Sequence, residues 1–302
     1  MNLQQSIMIF FNSIYTPVLD RIFSLISYLG LGTVHIVFLL FIFWCMDKKK
    51  GFTVCMTLLS VNSLNNIVKA IVRAPRPWHV LEELGGQRDV NATGYSFPSG
   101  HTAGATATFG SLAYVFKKRW LSILCACIIA LVGFSRLYLC VHWPIDVAGG
   151  LLVGFLGVFV LSDIFMKLFD DKELGTKVFL IMGVLCAIGG AVTGLMLNSG
   201  KYEEILLSDL SKALAVNGGL ALGYVLEVNT TNFQIEEGHW GRKIIRFLLG
   251  LVGVLVLLPL SKIVLKNVGL YSPLFAQLRY FLTAIWCAAI WPILGKRLKL
   301  FV

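Results

Sequence analysis

Of the chain's 302 residues, 57% are hydrophobic and 14% are charged, about half the charged share of a soluble domain, and the mean hydropathy is +0.79. These values exclude a soluble globular class and describe a polytopic membrane protein. The net charge of +10 does not describe a nucleic-acid surface either, because the cations gather in short groups at the ends of apolar runs.

The first 20 residues are apolar but interrupted by Asn12, Pro17 and Asp20, and read as an interfacial helix or a weak first membrane segment. No basic stretch precedes them, so a cleaved signal peptide is not expected. Apolar runs follow at 22–46, 52–68, 90–116, 121–135, 147–162, 178–200, 247–261 and 280–295, with a weaker one at 213–228. A spanning helix needs roughly 20 mainly apolar residues; several runs meet this directly and the shorter ones do with their flanks. The expected fold is therefore all-α, a polytopic membrane helical bundle.

Counting each run as one crossing puts Lys48-Lys49-Lys50, Lys117-Lys118-Arg119, Arg242-Lys243 and Lys296-Arg297 on one side, which the positive-inside bias makes cytoplasmic. Segments 73–97, 136–143, 201–209 and 266–277 then face the extracytoplasmic side. The polar stretches 201–212 and 227–243 read as loops of ordinary charge. The seven cysteines lie mostly inside apolar runs, where cysteine acts as a small hydrophobe. With no Cys-x-x-Cys pair, neither structural disulfides nor sulfur-ligated metal is expected, and Cys140 reads as packing.

Three polar islands interrupt the apolar pattern, all before residue 150. The expected division is a membrane-associated segment 1–20, a catalytic core 21–167 and a C-terminal transmembrane extension 168–302. In the first island Lys69, Arg73 and Arg76 stand at i, i+4 and i+7, one face of a helix if the helix persists, with Pro75 and Pro77 ending it nearby. Snorkelling cations at a helix end would give the same pattern, but these lie on the side that the positive-inside bias disfavours. In the second, Pro98-Ser99-Gly100-His101 precedes a long uncharged helix. Ser99 is a credible N-cap, Gly100 lets backbone approach a ligand, and a helix N-terminus suits an anion. A capped helix with an incidental histidine is the plain alternative. In the third, His142 and Asp146 are four apart, with Pro144 between them at a helix start. A carboxylate holding one imidazole nitrogen makes the other a better nucleophile or base; a purely structural Asp–His pair would look the same. Ser135 and Arg136 precede them by a short loop.

Taken together, Lys69 with Arg76-Pro77, then Pro98-Ser99-Gly100-His101, then Ser135-Arg136 with His142 and Asp146, resemble the signature of the type 2 phosphatidic acid phosphatase superfamily. The resemblance covers about residues 20–167 and every signature residue is present. It implies a six-helix-type phosphatase core, here followed by three or four additional transmembrane helices. It implies that His142 attacks phosphorus to form a phosphohistidine, that Asp146 orients it, and that His101 protonates the leaving oxygen and later activates water. Lys69, Arg76 and Arg136 would bind the phosphoryl oxygens, with Ser99 and the Gly100 N–H completing the cradle.

No cofactor and no metal are expected, because three cations beside the histidines would repel a divalent ion and Asp146 is the nearby motif carboxylate. Glu82, Glu83 and Asp89 are not placed on the site by any pattern. His35 and His239 match no motif and read as structural. Arg73 is additional to the signature. Tyr95, Phe97, Trp78 and Trp143 flank the motifs as an interfacial aromatic belt, and Asn91-Ala92-Thr93 forms a sequon.

The expected partners are a membrane lipid phosphate and the bilayer, with no nucleic acid, and the C-terminal helices offer a surface for homo-oligomers. The expected setting is a bacterial inner membrane with the active site extracytoplasmic. Undecaprenyl pyrophosphate or a phosphatidate-type lipid is the first substrate to try. A phosphotransferase using an alcohol or sugar acceptor, and a non-catalytic lipid binder or transporter, remain alternatives.

Overall fold

Apolar runs separated by short polar turns become helices throughout the described residues, 3–86, 92–235 and 240–301, of a computed structural model. In chain order these are α1 (Leu3–Ser13), α2 (Pro17–Tyr28), α3 (Gly32–Phe41), α4 (Lys48–Val72), the single turn α5 (Pro77–Val80), α6 (Gly100–Ala105), α7 (Ser111–Phe116), α8 (Arg119–Tyr138), α9 (Pro144–Asp170), α10 (Lys172–Asn198), α11 (Glu204–Thr230), α12 (Trp240–Asn267), α13 (Pro273–Ile285) and α14 (Trp291–Arg297). Helical π-turns at Ile42–Met46, Thr106–Gly110 and Trp286–Ile290 continue α3 and join α6 to α7 and α13 to α14. No strand occurs among the described residues. Asp89, Asn91 and His239 lie outside them.

Among the described residues seven helices are long and apolar enough to cross a membrane, and the pair α2 and α3, bent by 47°, passes the same test only as a unit, as a broken span or a re-entrant loop. The run 22–46 is thus not one straight crossing. Three successive tight turns break it: Leu29 N–H to Ile26 O, Gly30 N–H to Ser27 O, and Leu31 N–H to Tyr28 O, at 2.9 to 3.0 Å. The run 90–116 also shortens, because helix begins only at Gly100, after Pro98 and the Ser99 cap. Residues 168–302 carry four of the spanning helices: Lys172–Asn198, Glu204–Thr230, Trp240–Asn267 and Pro273–Arg297.

The chain forms two compact units, Met1–Ile36 with Ser60–Asp163, and Val37–Leu59 with Ile164–Val302. In the first, α1 is too short to cross a bilayer. It packs Met8 and Phe11 into a buried cluster with Leu84, Tyr138, Leu139 and Val141, directly beneath the segment that carries His142. Tyr138 Oη donates to Ile14 O at 3.3 Å and accepts from Thr16 N at 3.2 Å, where Thr16 also caps α2.

In the second unit, two expectations about loops change. Of the expected loop 201–212, residues 204–212 are helical, as the start of α11, and Glu227 belongs to the last turn of that helix. Glu227 is fully buried and paired with Lys48 at 2.6 Å. Lys48 Nζ also donates to Phe233 O at 3.1 Å, and Glu227 Oε1 accepts the Phe233 N–H at 2.6 Å. The weak hydropathy of 213–228 follows from this: α11 places polar groups inside the unit, where they find partners, rather than facing lipid.

Candidate active site

The first unit assembles the three polar islands, starting from the end of α4. That helix stops at Val72 because two prolines follow and Arg73 turns left-handed, with φ of 51°. The helix therefore does not persist to Arg76. Arg73 is exposed and folds back to donate to Ala70 O at 2.9 Å, so it does not join the site residues. Arg76 is extended and 3% exposed. Its Nε donates to Gly94 O at 3.0 Å and its Nη2 to Thr93 O. Its Nη1 donates to Val141 O at 2.9 Å and to His142 Nε2 at 3.1 Å. One guanidinium thus ties the segment before α6 to the segment before α9. Lys69, one turn before the end of α4, donates to Tyr95 O at 2.5 Å.

The second island starts α6. Ser99 Oγ accepts from Thr102 Oγ1 at 2.9 Å and from the Thr102 N–H at 3.4 Å, and the Ser99 N–H donates to Asp146 O at 2.9 Å. A methyl group on Gly100 would lie 3.7 Å from Asn65 Nδ2 and 3.9 Å from Lys69 Cε, so this helix start sits beside the lysine. The small residues that allow the approach are on α9: a Cβ at Gly150 would meet Ser99 O at 2.7 Å, and one at Gly154 would meet Thr106 Cβ at 2.5 Å. His101, in the first turn of α6, packs on Gly30, where a Cβ would lie 2.9 Å from its own Cβ. Its Nε2 is buried without a hydrogen-bond partner among the described residues.

The third island follows α8. Arg136, fully buried, donates through Nη1 to Ser27 Oγ, while Ser135 Oγ turns back to Val132 O at 2.7 Å. His142 is 1% exposed. Its Nδ1 lies 3.3 Å from Asp146 Oδ2, in the first turn of α9. Because Arg76 can only donate, the network assigns Nε2 as the acceptor and Nδ1–H as the donor to Asp146. Burial first, then the charges of Arg76, Lys69, Arg136 and His101, hold the His142 pKa well below its usual 6.5. The imidazole is therefore neutral, with Nδ1–H toward Asp146 and its Nε2 lone pair occupied by the Arg76 guanidinium.

Arg76 thus bonds the His142 ring directly, Lys69 and Arg136 bear on it through their charge, and Ser99 and Gly100 form the helix start beside Lys69. Sequence reasoning missed Ser96. It is fully buried and donates to Asp146 Oδ2, which also accepts the Trp143 N–H at 2.7 Å. No spacing rule marks Ser96; its only signal is a polar residue between aromatics just ahead of Pro98. Ser96 positions the carboxylate without touching His142. Ser96→Ala is expected to lower turnover about 10- to 100-fold, the worth of a hydrogen bond to a charged group, with KM unchanged and with recovery in Ser96→Thr. Equal effects on KM and turnover would give Ser96 a different role.

His35 is buried, with Nε2 2.6 Å from Leu29 O. Two aromatics do more than border the membrane. Trp78 lies under the Arg76 guanidinium at 5.3 Å, and Trp143 Nε1 donates to Pro75 O at 3.0 Å. An apolar groove of about 400 Å³, lined by Val72, Pro75, Val80, Phe97, Trp143 and Ile145, runs to Asp146.

Comparison with known proteins gives the relationship. A family model described as the PAP2 superfamily matches residues 50–170, and one described as the PAP2 superfamily phosphatase transmembrane extension matches residues 211–301. The chain belongs to the PAP2 superfamily. This PAP2 protein is integral to the membrane, with its spanning helices in both matched regions.

Among curated relatives it is 28% identical to phosphatidylglycerophosphatase B of Bacillus subtilis, over 52% of this chain and 77% of that one. It is 29% identical to lipid phosphate phosphatase delta of Arabidopsis thaliana, over 46% of this chain and 36% of that one. It is 30% identical to an undecaprenyl-diphosphatase of Sulfolobus acidocaldarius, over 35% of this chain and 51% of that one. The match thus spans less than two thirds of the latter two relatives.

Proposed function

We propose that this PAP2 protein is a membrane lipid phosphatase that hydrolyses a phosphate or pyrophosphate monoester through a phosphohistidine on His142, without a metal. The observation that carries this reading is His142 held between Asp146 at Nδ1 and Arg76 at Nε2. In the first step His142 Nε2 forms a bond to phosphorus while the bond from phosphorus to the leaving oxygen breaks. His101 gives that oxygen its proton, and Asp146 stabilises the charge left on the ring. In the second step water attacks phosphorus, His101 takes the water's proton, and the N–P bond breaks to release phosphate and restore His142. An incoming phosphoryl group takes over the Arg76 hydrogen bond, and Lys69, Arg136, Ser99 and the Gly100 N–H hold its other oxygens. Phosphoryl transfer needs chiefly such positioning and charge stabilisation, and three fixed cations supply it.

The groove that reaches Asp146 supports a substrate anchored in lipid: the chain lies against Val72, Phe97 and Ile145 while the headgroup enters sideways. The relatives' names make undecaprenyl pyrophosphate and phosphatidylglycerol phosphate the first substrates to try. An extracytoplasmic active site in a bacterial inner membrane belongs to the same proposal and rests on the distribution of loop cations.

The test is purified protein in detergent, offered a panel of lipid phosphates and pyrophosphates with and without chelator. Released phosphate at an unchanged rate in chelator is the expected result. Activity abolished by chelator and restored by a divalent ion would contradict the metal-free mechanism, and phosphate appearing on an added alcohol rather than in solution would make the protein a phosphotransferase.

A further inference from the structure

The second unit contains a polar site that takes no part in the chemistry above. At one end of α11, α12 and α13 a cavity of about 270 Å³ is lined by Lys212, Lys262, Tyr271, Arg279 and Tyr280, with Glu204 at its edge. Arg279 is 8% exposed and sits in a spanning helix. Its partners are neutral: Nε donates to Ser261 Oγ at 3.0 Å and Nη2 to Leu258 O at 2.5 Å, and the rings of Tyr271 and Tyr280 lie 5.9 Å away. Lys262 and Lys266 stand over Tyr271 at 6.0 and 5.6 Å. Lys212 is offset by Asp209 at 3.3 Å, and Glu204 opposes one further charge, so cations are in excess. A buried arginine in a membrane span, with no carboxylate partner among the described residues, is costly and marks a functional site.

An apolar groove of about 320 Å³ adjoins this cavity, and the two share Gln277 as a lining residue. The groove runs between α10, α11 and α13 along Ala187, Gly190, Ala191, Leu274, Leu278 and Phe281. Its volume falls within the roughly 300–1,000 Å³ of small-molecule sites. Gln277 is 5% exposed and its Oε1 has no hydrogen-bond partner among the described residues. The side chain stands where charged cavity meets apolar groove, an uncompensated polar group of the kind that calls for an explanation.

We propose that this pair of cavities holds one anionic phospholipid, separate from the catalytic centre. The headgroup phosphate meets Arg279 and Lys262, the Gln277 amide meets the glycerol and ester level, and an acyl chain fills the groove. Arginine's planar fork, already anchored on one edge by Ser261 and Leu258, presents its remaining donors to phosphate. Charge excess selects an anionic lipid over a zwitterionic one, and the groove selects a lipid over a soluble phosphate.

Native mass spectrometry of the full-length protein, exchanged into micelles with equal amounts of phosphatidylglycerol and phosphatidylcholine, tests this. The wild-type protein is expected to retain phosphatidylglycerol preferentially, and Lys262→Gln and Arg279→Gln each to lower that retention about tenfold. Ala191→Phe, which fills the groove, is expected to lower it as well. All three variants should keep the wild-type rate on a soluble phosphate ester, which separates this site from the catalytic one and shows that each variant is folded. Lys262 is exposed, so its variant carries the test even if Arg279→Gln does not fold. Equal retention in wild type and Lys262→Gln, equal retention of both lipids, or retention untouched by Ala191→Phe would overturn the proposal.

Discussion

His142→Ala is expected to lower turnover about 10⁴-fold or more, the scale seen when a covalent nucleophile is removed, while the protein remains folded. The ring is 1% exposed and bonded on both nitrogens, so its loss leaves Arg76 and Asp146 facing a small void rather than a rearranged core. Substrate binding should persist, because Lys69, Arg76 and Arg136 remain. The informative split is therefore a collapse of kcat with KM nearly unchanged, measured by phosphate release from the best lipid of the panel. Asparagine is expected to fail as completely as alanine, because its amide nitrogen has no lone pair to give phosphorus. A variant that keeps more than about a tenth of wild-type turnover would remove His142 from the reaction path.

Arg76→Lys is expected to lower kcat/KM about 10³-fold, the lower end of what a transition-state arginine supplies in phosphoryl transfer. A lysine keeps the charge but cannot bond Thr93 O, Gly94 O, Val141 O and His142 Nε2 at once. Arg76→Gln adds a second, separate signature in the pH profile. The reactive form of His142 is the unprotonated one. Its pKa lies well below 6.5, first through burial and then through the nearby cations. The ring therefore stays reactive as the pH falls through 6.5, and the acidic loss of kcat/KM sets in only further down. Removing the Arg76 charge lifts one cause of that depression, so the acid limb moves to higher pH in Arg76→Gln and stays near its wild-type position in Arg76→Lys. A limb that shifts equally in both variants would mean that the arginine acts on His142 by geometry alone.

Much of this site can be read in the sequence, for a physical reason. A polar side chain in an apolar run is costly to keep, so Lys69, Arg76, His101, Arg136, His142 and Asp146 stand out against their neighbours, and proline and serine mark where the helices that carry them begin. Residues that act through these are harder to see. Ser96 and Ser27 are small, common and bonded to groups 50 and 109 positions away, and no local pattern encodes such pairings. The bend after α2 is hidden because the run 22–46 is uncharged throughout; what breaks it is the series of tight turns over 26–31, where Gly30 lies against His101. Glu227 misled in the opposite sense: read locally it is a loop charge, and its burial makes sense only with Lys48, 179 positions earlier. The glycines of α9 belong to the same class, since their importance lies in what they approach.

The central claim is that His142 Nε2 becomes covalently bonded to phosphorus. It is tested most directly by mixing His101→Gln protein with a pyrophosphate or aryl phosphate ester, whose leaving group departs without a proton, and quenching in alkali. With the water-activating histidine gone, a phosphoenzyme should accumulate, and peptide mapping should place the phosphate on His142. No phosphoenzyme under conditions of continuing turnover, or a phosphate that still appears when His142→Ala is combined with His101→Gln, would contradict the account.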